Sequence, residues 1–257
     1  MRSVPGHQPD ALADWLHIRT QITWPCWSGT RPDAGAPPRN GFRDFFTSTR
    51  GSRDAGGTER VLTALDQALA DAEQGKRLSF ALMANWQRTV LRRASVGFRT
   101  RPAFAKGGRE RYDLTPDTQG GFERCLSEST QPDLPLPSRA ARTYLDVLFF
   151  HPFEDGNARA AMLALAFVLA RDGVFLDQVQ PLQATRWADD TEGAADLAVL
   201  LGILIAATQR RRQTRLHLQG NPGHNSHRDL APRPHQRAIR NGLARRVRSA
   251  EQPGRPS

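Results

Sequence analysis

His151-Pro152-Phe153-Glu154-Asp155-Gly156-Asn157-Ala158-Arg159 decides how this chain is read. A histidine, two acids, a Gly-Asn turn and an arginine fall within nine residues, and the run from Ala160 to Ala170 that follows is almost wholly apolar. That order predicts a polar loop feeding into a buried helix, whose first N–H groups have no intrahelical acceptor and form an anion site. His151 closes the preceding helix at the mouth of the loop, where an imidazole can serve as a base. Asp155, four residues on, suits a hard cation such as Mg2+, with Glu154 as a competing acid. Gly156 permits close backbone approach and unusual φ. Asn157 can cap the helix or donate to a phosphate, and the Arg159 fork suits phosphate oxygens. Base, metal acid and anion cradle together describe phosphoryl or nucleotidyl transfer.

Outward from the loop the sequence reads as mainly α. Upstream, Ser138 is expected to cap a helix running to Phe150, with Ala141, Leu145, Leu148 and Phe149 buried. Downstream, a helix is expected from Asn157 to Arg171, stopped by Asp172-Gly173. Another follows near Thr191–Gln209, carrying Leu197, Leu200, Leu201, Leu204 and Ile205. Earlier, Thr58 is expected to cap a helix carrying Leu62, Leu65, Leu69 and Ala72. Ser79–Arg93 forms the next, with Leu82, Met83, Trp86 and Val90 on one face. Between these lies one hairpin: Val96–Ala105 extended, Lys106-Gly107-Gly108 as the turn, Arg109–Tyr112 as the return. Its basic, polar strands are expected to lie on the surface. A short helix is expected near Phe122–Ser127, and another from Asp10 to about Thr23 around Ala11, Trp15 and Ile18. Residues 24–57 read as irregular, with Trp24, Trp27, Phe42, Phe45 and Phe46 packing down.

The 257 residues carry a net charge of +10, unevenly placed. From Arg210 onward there are twelve arginines against Asp229 and Glu251, whereas residues 1–209 balance at 24 basic and 24 acidic. The basic character thus belongs to the C-terminal segment, which weakens any inference that the fold itself binds nucleic acid. Cys26 and Cys125 stand far apart, without the spacing of a metal knuckle or a disulfide framework. No apolar h-region follows Met1, and the longest apolar runs, Ala160–Ala170 and Leu197–Ala207, fall short of the roughly 20 residues of a membrane span. A cytoplasmic protein without membrane attachment is expected. Three segments follow: 1–57 packing on the core, a helical domain at 58–209, and an Arg-rich disordered tail at 210–257, too poor in apolar residues to offset ordering.

The 151–162 stretch resembles the Fic signature, His-x-Phe-x-Asp/Glu-Gly-Asn-Gly-Arg-x-x-Arg, matched by His151, Phe153, Asp155, Gly156, Asn157 and Arg159. The resemblance implies the Fic (Fido) helical core with a small β-hairpin flap. It implies transfer of AMP from ATP, or of another nucleotidyl group, to a protein Ser, Thr or Tyr hydroxyl. His151 would then be the general base. Asp155 would bind Mg2+ on the nucleotide phosphates. Gly156, Asn157, Ala158 and Arg159 would cradle the phosphates, and Phe153 would anchor the loop. The flap, with Phe98, Arg99, Thr100, Phe104, Lys106, Gly107 and Gly108, would hold the protein substrate by strand addition.

Two positions depart from the signature. Ala158 stands for the second glycine and Met162 for the final arginine, which in the family helps hold the far end of the triphosphate. Losing one charge-assisted contact costs about 1.5–3 kcal/mol, roughly ten- to a hundred-fold. Two alternatives therefore stand beside nucleotidyl transfer. One is a Doc-like phosphotransferase toxin, a branch that also departs at both positions. The other is a catalytically degenerate Fic-like binding module. The family's inhibitory Ser/Thr-x-x-x-Glu-Gly/Asn pattern has no clean copy: Glu192-Gly193 has Ala188 four residues before Glu192. Restraint would then come from an antitoxin-like partner. The arginine-rich 210–257 segment is open to weak, salt-sensitive contact with nucleic acid. Deleting that segment is expected to abolish any salt-dependent retention on DNA or RNA while leaving the helical domain's activity intact. Retention unchanged by the deletion refutes the attribution.

Overall fold

A computed structural model describes residues 8–26, 39–48 and 55–219. Within them the chain forms α1 (Ala11–Arg19), α2 (Gly41–Thr47), α3 (Ala55–Glu73), α4 (Phe80–Leu91), β1 (Ala103–Ala105), β2 (Glu110–Tyr112), α5 (Thr118–Ser127), α6 (Leu136–Phe150), α7 (Asn157–Arg171) and α8 (Thr191–Gln219). The fold is mainly α with one small antiparallel hairpin, as the periodicities predict. Residues 220–257 and Trp27 lie outside the described residues, so the expectations placed there are not addressed.

α7 is the centre. Every residue from Ala160 to Leu169 is buried, which is the pattern of a helix covered on all sides. It packs against α6 and α3, while α4 covers α3 and α8 covers α6. α7 starts and ends where the sequence predicts, and Gly173 takes positive φ (72°) just past its C-cap.

Other boundaries moved. α3 begins at Ala55, so Thr58 lies inside its first turn and is not its cap. α5 starts at Thr118, four residues before Phe122. α6 begins at Leu136, with the Pro135 carbonyl accepting from Ser138 and Arg139; the Ser138 hydroxyl instead donates to the Pro25 carbonyl at 3.2 Å. The pre-set φ of Pro137 favours starting the helix before Ser138. α8 continues ten residues past Gln209, into the stretch expected to lack order. Asp177 holds it there, pairing with Arg211 (Nε–Oδ2 2.6 Å) and with the Thr208 hydroxyl at 2.8 Å. By length and composition α8 could cross a membrane, with mean hydropathy 1.6 over its most apolar window, and half of that window is buried in the fold. In the segment read as irregular, α2 forms under an Asn40 cap. A Cβ on Gly41 would lie 2.6 Å from the Gln178 nitrogen, so only glycine fits.

The first helix is tied on by a buried charge cluster. Asp146 on α6, fully buried, accepts from Trp15 Nε1 (2.9 Å) and from Arg19 Nε (2.7 Å) and a terminal guanidinium nitrogen (2.9 Å). Arg19 also pairs with Glu128 at 2.8 Å, which in turn holds Arg142. Breaking a buried pair strands the remaining charge, at a cost of about 3–5 kcal/mol. Asp146→Ala is accordingly expected to destabilise the fold by about that amount, measured as a lower urea midpoint at unchanged slope.

Candidate active site

Loop 151–156 is closed by three contacts. His151 is the C-cap of α6 in the left-handed region (φ 47°, ψ 56°), a conformation that costs a non-glycine residue energy but turns the chain sharply. Phe153 then drops into the core, 1% exposed and stacked on Phe80 with ring centroids 5.4 Å apart. Asn157, 7% exposed, clasps the Phe153 peptide from both sides: Oδ1 accepts from the Phe153 N–H at 3.0 Å and Nδ2 donates to its carbonyl at 2.8 Å. The Asn157 amide is thus committed to the loop and neither caps the helix nor donates to a phosphate.

That commitment leaves the N-terminus of α7 without a side-chain cap. The backbone N–H groups of Asn157, Ala158 and Arg159, in the first helical turn, have no intrahelical acceptor, while Ala160 already bonds to the Gly156 carbonyl. Gly156 enters the helix at φ 78°. Ala158 is exposed on the first turn in helical conformation, so the missing second glycine creates no strain.

The two acids separate cleanly. Glu154 Oε1 accepts from the Thr100 N–H at 3.1 Å and from its hydroxyl at 3.4 Å. Asp155 is 69% exposed at the loop tip; its Oδ1 accepts from the Gly156 N–H at 2.6 Å, and its Oδ2 lies 3.7 Å from Arg159. Both acids are exposed: Glu154 is tied to Thr100 through Oε1 alone, and Asp155 stands at the loop tip beside the start of α7. No group of three or more His, Cys, Asp or Glu forms a metal site among the described residues. One carboxylate beside an anion cradle fits Mg2+ that arrives with phosphate oxygens and keeps several waters.

His151 has the tautomer of a base. Its Nδ1 donates to the Leu148 carbonyl, leaving Nε2 with its lone pair. Burial pushes its pKa down to about 4, helped by the positive charge of Arg99 and Lys106 and opposed by the Leu148 bond and by Glu110. Tyr112 covers one ring face, stacked at 4.6 Å and 19°. The Tyr112 hydroxyl donates to Glu110, a buried carboxylate that also holds Lys106 and accepts from the Ala188 N–H at 2.9 Å.

This overturns the expected surface position of the hairpin. β2 faces inward, with Glu110 and Tyr112 buried, because Glu110 has three internal donors and Tyr112 has an imidazole to stack on. Several expected docking residues are spent internally. Phe98 packs against Phe80 and Phe122. Arg99 is 3% exposed and gives its guanidinium to the Phe150, Arg101 and Asp113 carbonyls, as its N–H bonds the Pro152 carbonyl at 2.9 Å. Thr100 serves Glu154, and Lys106 pairs with Glu110 over the Phe149 and Trp187 rings. Phe104, 59% exposed, and the Gly107-Gly108 turn remain outward. Asp10 bridges Arg111 on the outer side of β2, and no strand among the described residues pairs with the other edge of β1.

Sequence reasoning missed Gln87, Glu110 and Tyr112. Gln87 lies at helical spacing with Met83 and Val90 on the buried face of α4, and a polar residue at such a position was the available signal. It is fully buried, and its Nε2 donates to the Asp155 carbonyl at 2.7 Å. Nothing local in the sequence marks Tyr112 as the ring over His151. Met162 is 2% exposed in the core, its sulfur 3.9 Å from Gln183 Nε2.

An imidazole with Nε2 left open, an exposed carboxylate and an uncapped helix start lie together on one loop, an arrangement suited to an anion. Residues 77–169 match the model of the Fic/DOC family. Among solved structures, an IbpAFic2 variant in complex with adenylylated Cdc42 aligns at TM-score 0.48 and 13% identity, over 76% of this chain and 71% of that one. A Fic domain containing signaling protein from Bacteroides thetaiotaomicron aligns at 0.47 and 15%, over 78% and 83%. With TM-scores below 0.5 these likenesses are loose. No curated protein sequence matches the chain.

Two outcomes test the site. A Cβ on Gly156 would lie 2.3 Å from Gln87 Nε2 and would sit at positive φ, so Gly156→Ala is expected to cost about 1–3 kcal/mol in stability, read by chemical denaturation. In the folded protein the His151 imidazole is expected to stay neutral down to about pH 4. Between there and the ordinary value near 6.5, the unfolded chain binds the extra proton, so stability falls as pH drops through that window. Tyr112→Ala opens the ring to water and is expected to move the midpoint toward the ordinary value, followed by NMR titration of the His151 ring.

Proposed function

We propose that the domain is a Fic-type transferase that moves a nucleotidyl group, AMP from ATP, to a hydroxyl side chain of a protein. The observation that carries this is His151: Nδ1 is bound to the Leu148 carbonyl and Nε2 is left basic, a few residues before the uncapped start of α7. Nε2 is the atom that takes the proton from the attacking hydroxyl, and burial keeps it unprotonated at neutral pH. The free N–H groups of Asn157, Ala158 and Arg159 and the Arg159 guanidinium receive the phosphate oxygens. Asp155 would hold Mg2+, which neutralises phosphate charge when bound. The unpaired edge of β1, with Phe104 outward, supports docking of an extended target segment by strand addition. On this reading the chain works in the cytoplasm, where ATP and Mg2+ are supplied, and an antitoxin-like partner would restrain it.

Met162 favours a second reading. With a buried thioether where the family's last arginine stands, the far end of a triphosphate has one cation fewer to grip. Transfer of a phosphoryl group, as in Doc-like toxins, or nucleotide binding without catalysis then competes with AMP transfer.

Incubation with labelled ATP, Mg2+ and lysate, followed by mass spectrometry, separates these readings. Modification is expected with the wild type and is lost in His151→Ala, and the added mass identifies the transferred group. Labelling that persists in His151→Ala rejects the transferase. Asp155→Ala is expected to remove the Mg2+ dependence of nucleotide binding, measured by calorimetry.

A further inference from the structure

Gln87 stands on α4, outside the loop, yet touches it at the residue pair on which both the metal acid and the anion cradle depend. It is completely buried. Its Nε2 donates to the Asp155 carbonyl at 2.7 Å, while its Oε1 has no partner among the described residues. A buried acceptor left unpaired is costly, and a methionine of similar length would avoid that cost. The cost of the unpaired Oε1 offsets the gain from the Nε2 bond, so stability alone does not account for a glutamine here.

The peptide between Asp155 and Gly156 does. In a trans peptide the C=O and the N–H point in opposite directions. With the carbonyl held by Gln87, the Gly156 N–H faces the other way, where it meets Asp155 Oδ1 at 2.6 Å. Gly156 has φ 78°. A flip of this peptide changes the sign of that φ, which glycine tolerates readily. The flipped carbonyl would point its negative end toward the Asp155 carboxylate, and the carboxylate would lose its N–H partner. Glycine's freedom at position 156 thus allows two arrangements, and Gln87 selects one. The two residues are also fitted to each other, since any Cβ at position 156 would collide with Gln87 Nε2.

We infer that Gln87 is a positioning residue: it fixes the Asp155–Gly156 peptide with its carbonyl turned inward, and so sets the orientation of Asp155 and the polarity of the phosphate cradle at the start of α7. The part concerning phosphate rests on the transferase reading above.

Gln87→Met keeps the volume and removes the donor. Gln87→Glu keeps the shape and replaces the donor with an acceptor. In the full-length chain, affinity for Mg2+·ATP by calorimetry is expected to fall roughly tenfold in Gln87→Met and further in Gln87→Glu. The thermal midpoint of Gln87→Met is expected to match wild type. Without nucleotide, hydrogen exchange at the Gly156 amide is expected to quicken several-fold in Gln87→Met while the Met83 amide, bonded within α4, keeps its protection. Wild-type affinity together with unchanged Gly156 exchange overturns the inference, and so does an affinity loss that merely tracks a lowered midpoint. If the wild type binds no ATP while Gly156 exchange still quickens in Gln87→Met, the transferase reading falls and the hold of Gln87 on the peptide stands.

Discussion

The Asn157 carboxamide bonded to both sides of the Phe153 peptide is the contact on which the site depends. It folds the loop back onto the first turn of α7, and because the amide is used this way it cannot cap the helix. Helix starts are usually satisfied by a Ser, Thr, Asp or Asn side chain. Here the capping-type residue is one position too late and turned to another task, so the N–H groups stay available to an anion. Phe153 makes the arrangement rigid by burying its ring against Phe80.

Around this loop the rest of the fold acts as a set of clamps. α4 supplies Gln87 beneath the Asp155 carbonyl. The segment before the hairpin supplies Thr100 for Glu154 and Arg99 for the carbonyls of Phe150 and Pro152. β2 lays Tyr112 over His151, and Glu110 ties that strand to Ala188 in the loop before α8. The hairpin therefore packs against the His151 loop as well as presenting an open edge. Its inner strand, β2, lies against His151, while the outer edge of β1 has no partner strand among the described residues.

Much of this was legible. The apolar run from Ala160 to Ala170 announces a helix buried all round, and His, Asp, Gly, Asn and Arg before it announce an anion-handling loop. α7 keeps its expected limits because local signals, Gly156 at one end and Gly173 at the other, agree with its packing. The less faithful boundaries, at α3, α5, α6 and α8, lie where distant contacts prevail over local preference. Ser138 finds Pro25, and Arg211 finds Asp177, so a segment without apolar periodicity becomes the last turns of a helix.

By itself the sequence determined the fold class and the loop-to-buried-helix junction at residues 151–171. Those follow from residue types at short spacing, which local chain geometry converts directly into a loop and a helix start. Only the tertiary structure decided which acid is tied to Thr100, what the Asn157 amide does, which hairpin residues remain outward, and that Gln87 and Tyr112 touch the loop and its histidine. These are outcomes of competition among partners far apart in the chain: Thr100 for Glu154, Glu110 for Lys106 and Tyr112, Gln87 for Asp155. Long-range pairing assigns a donor to one acceptor and denies it to another, and no local spacing records that choice.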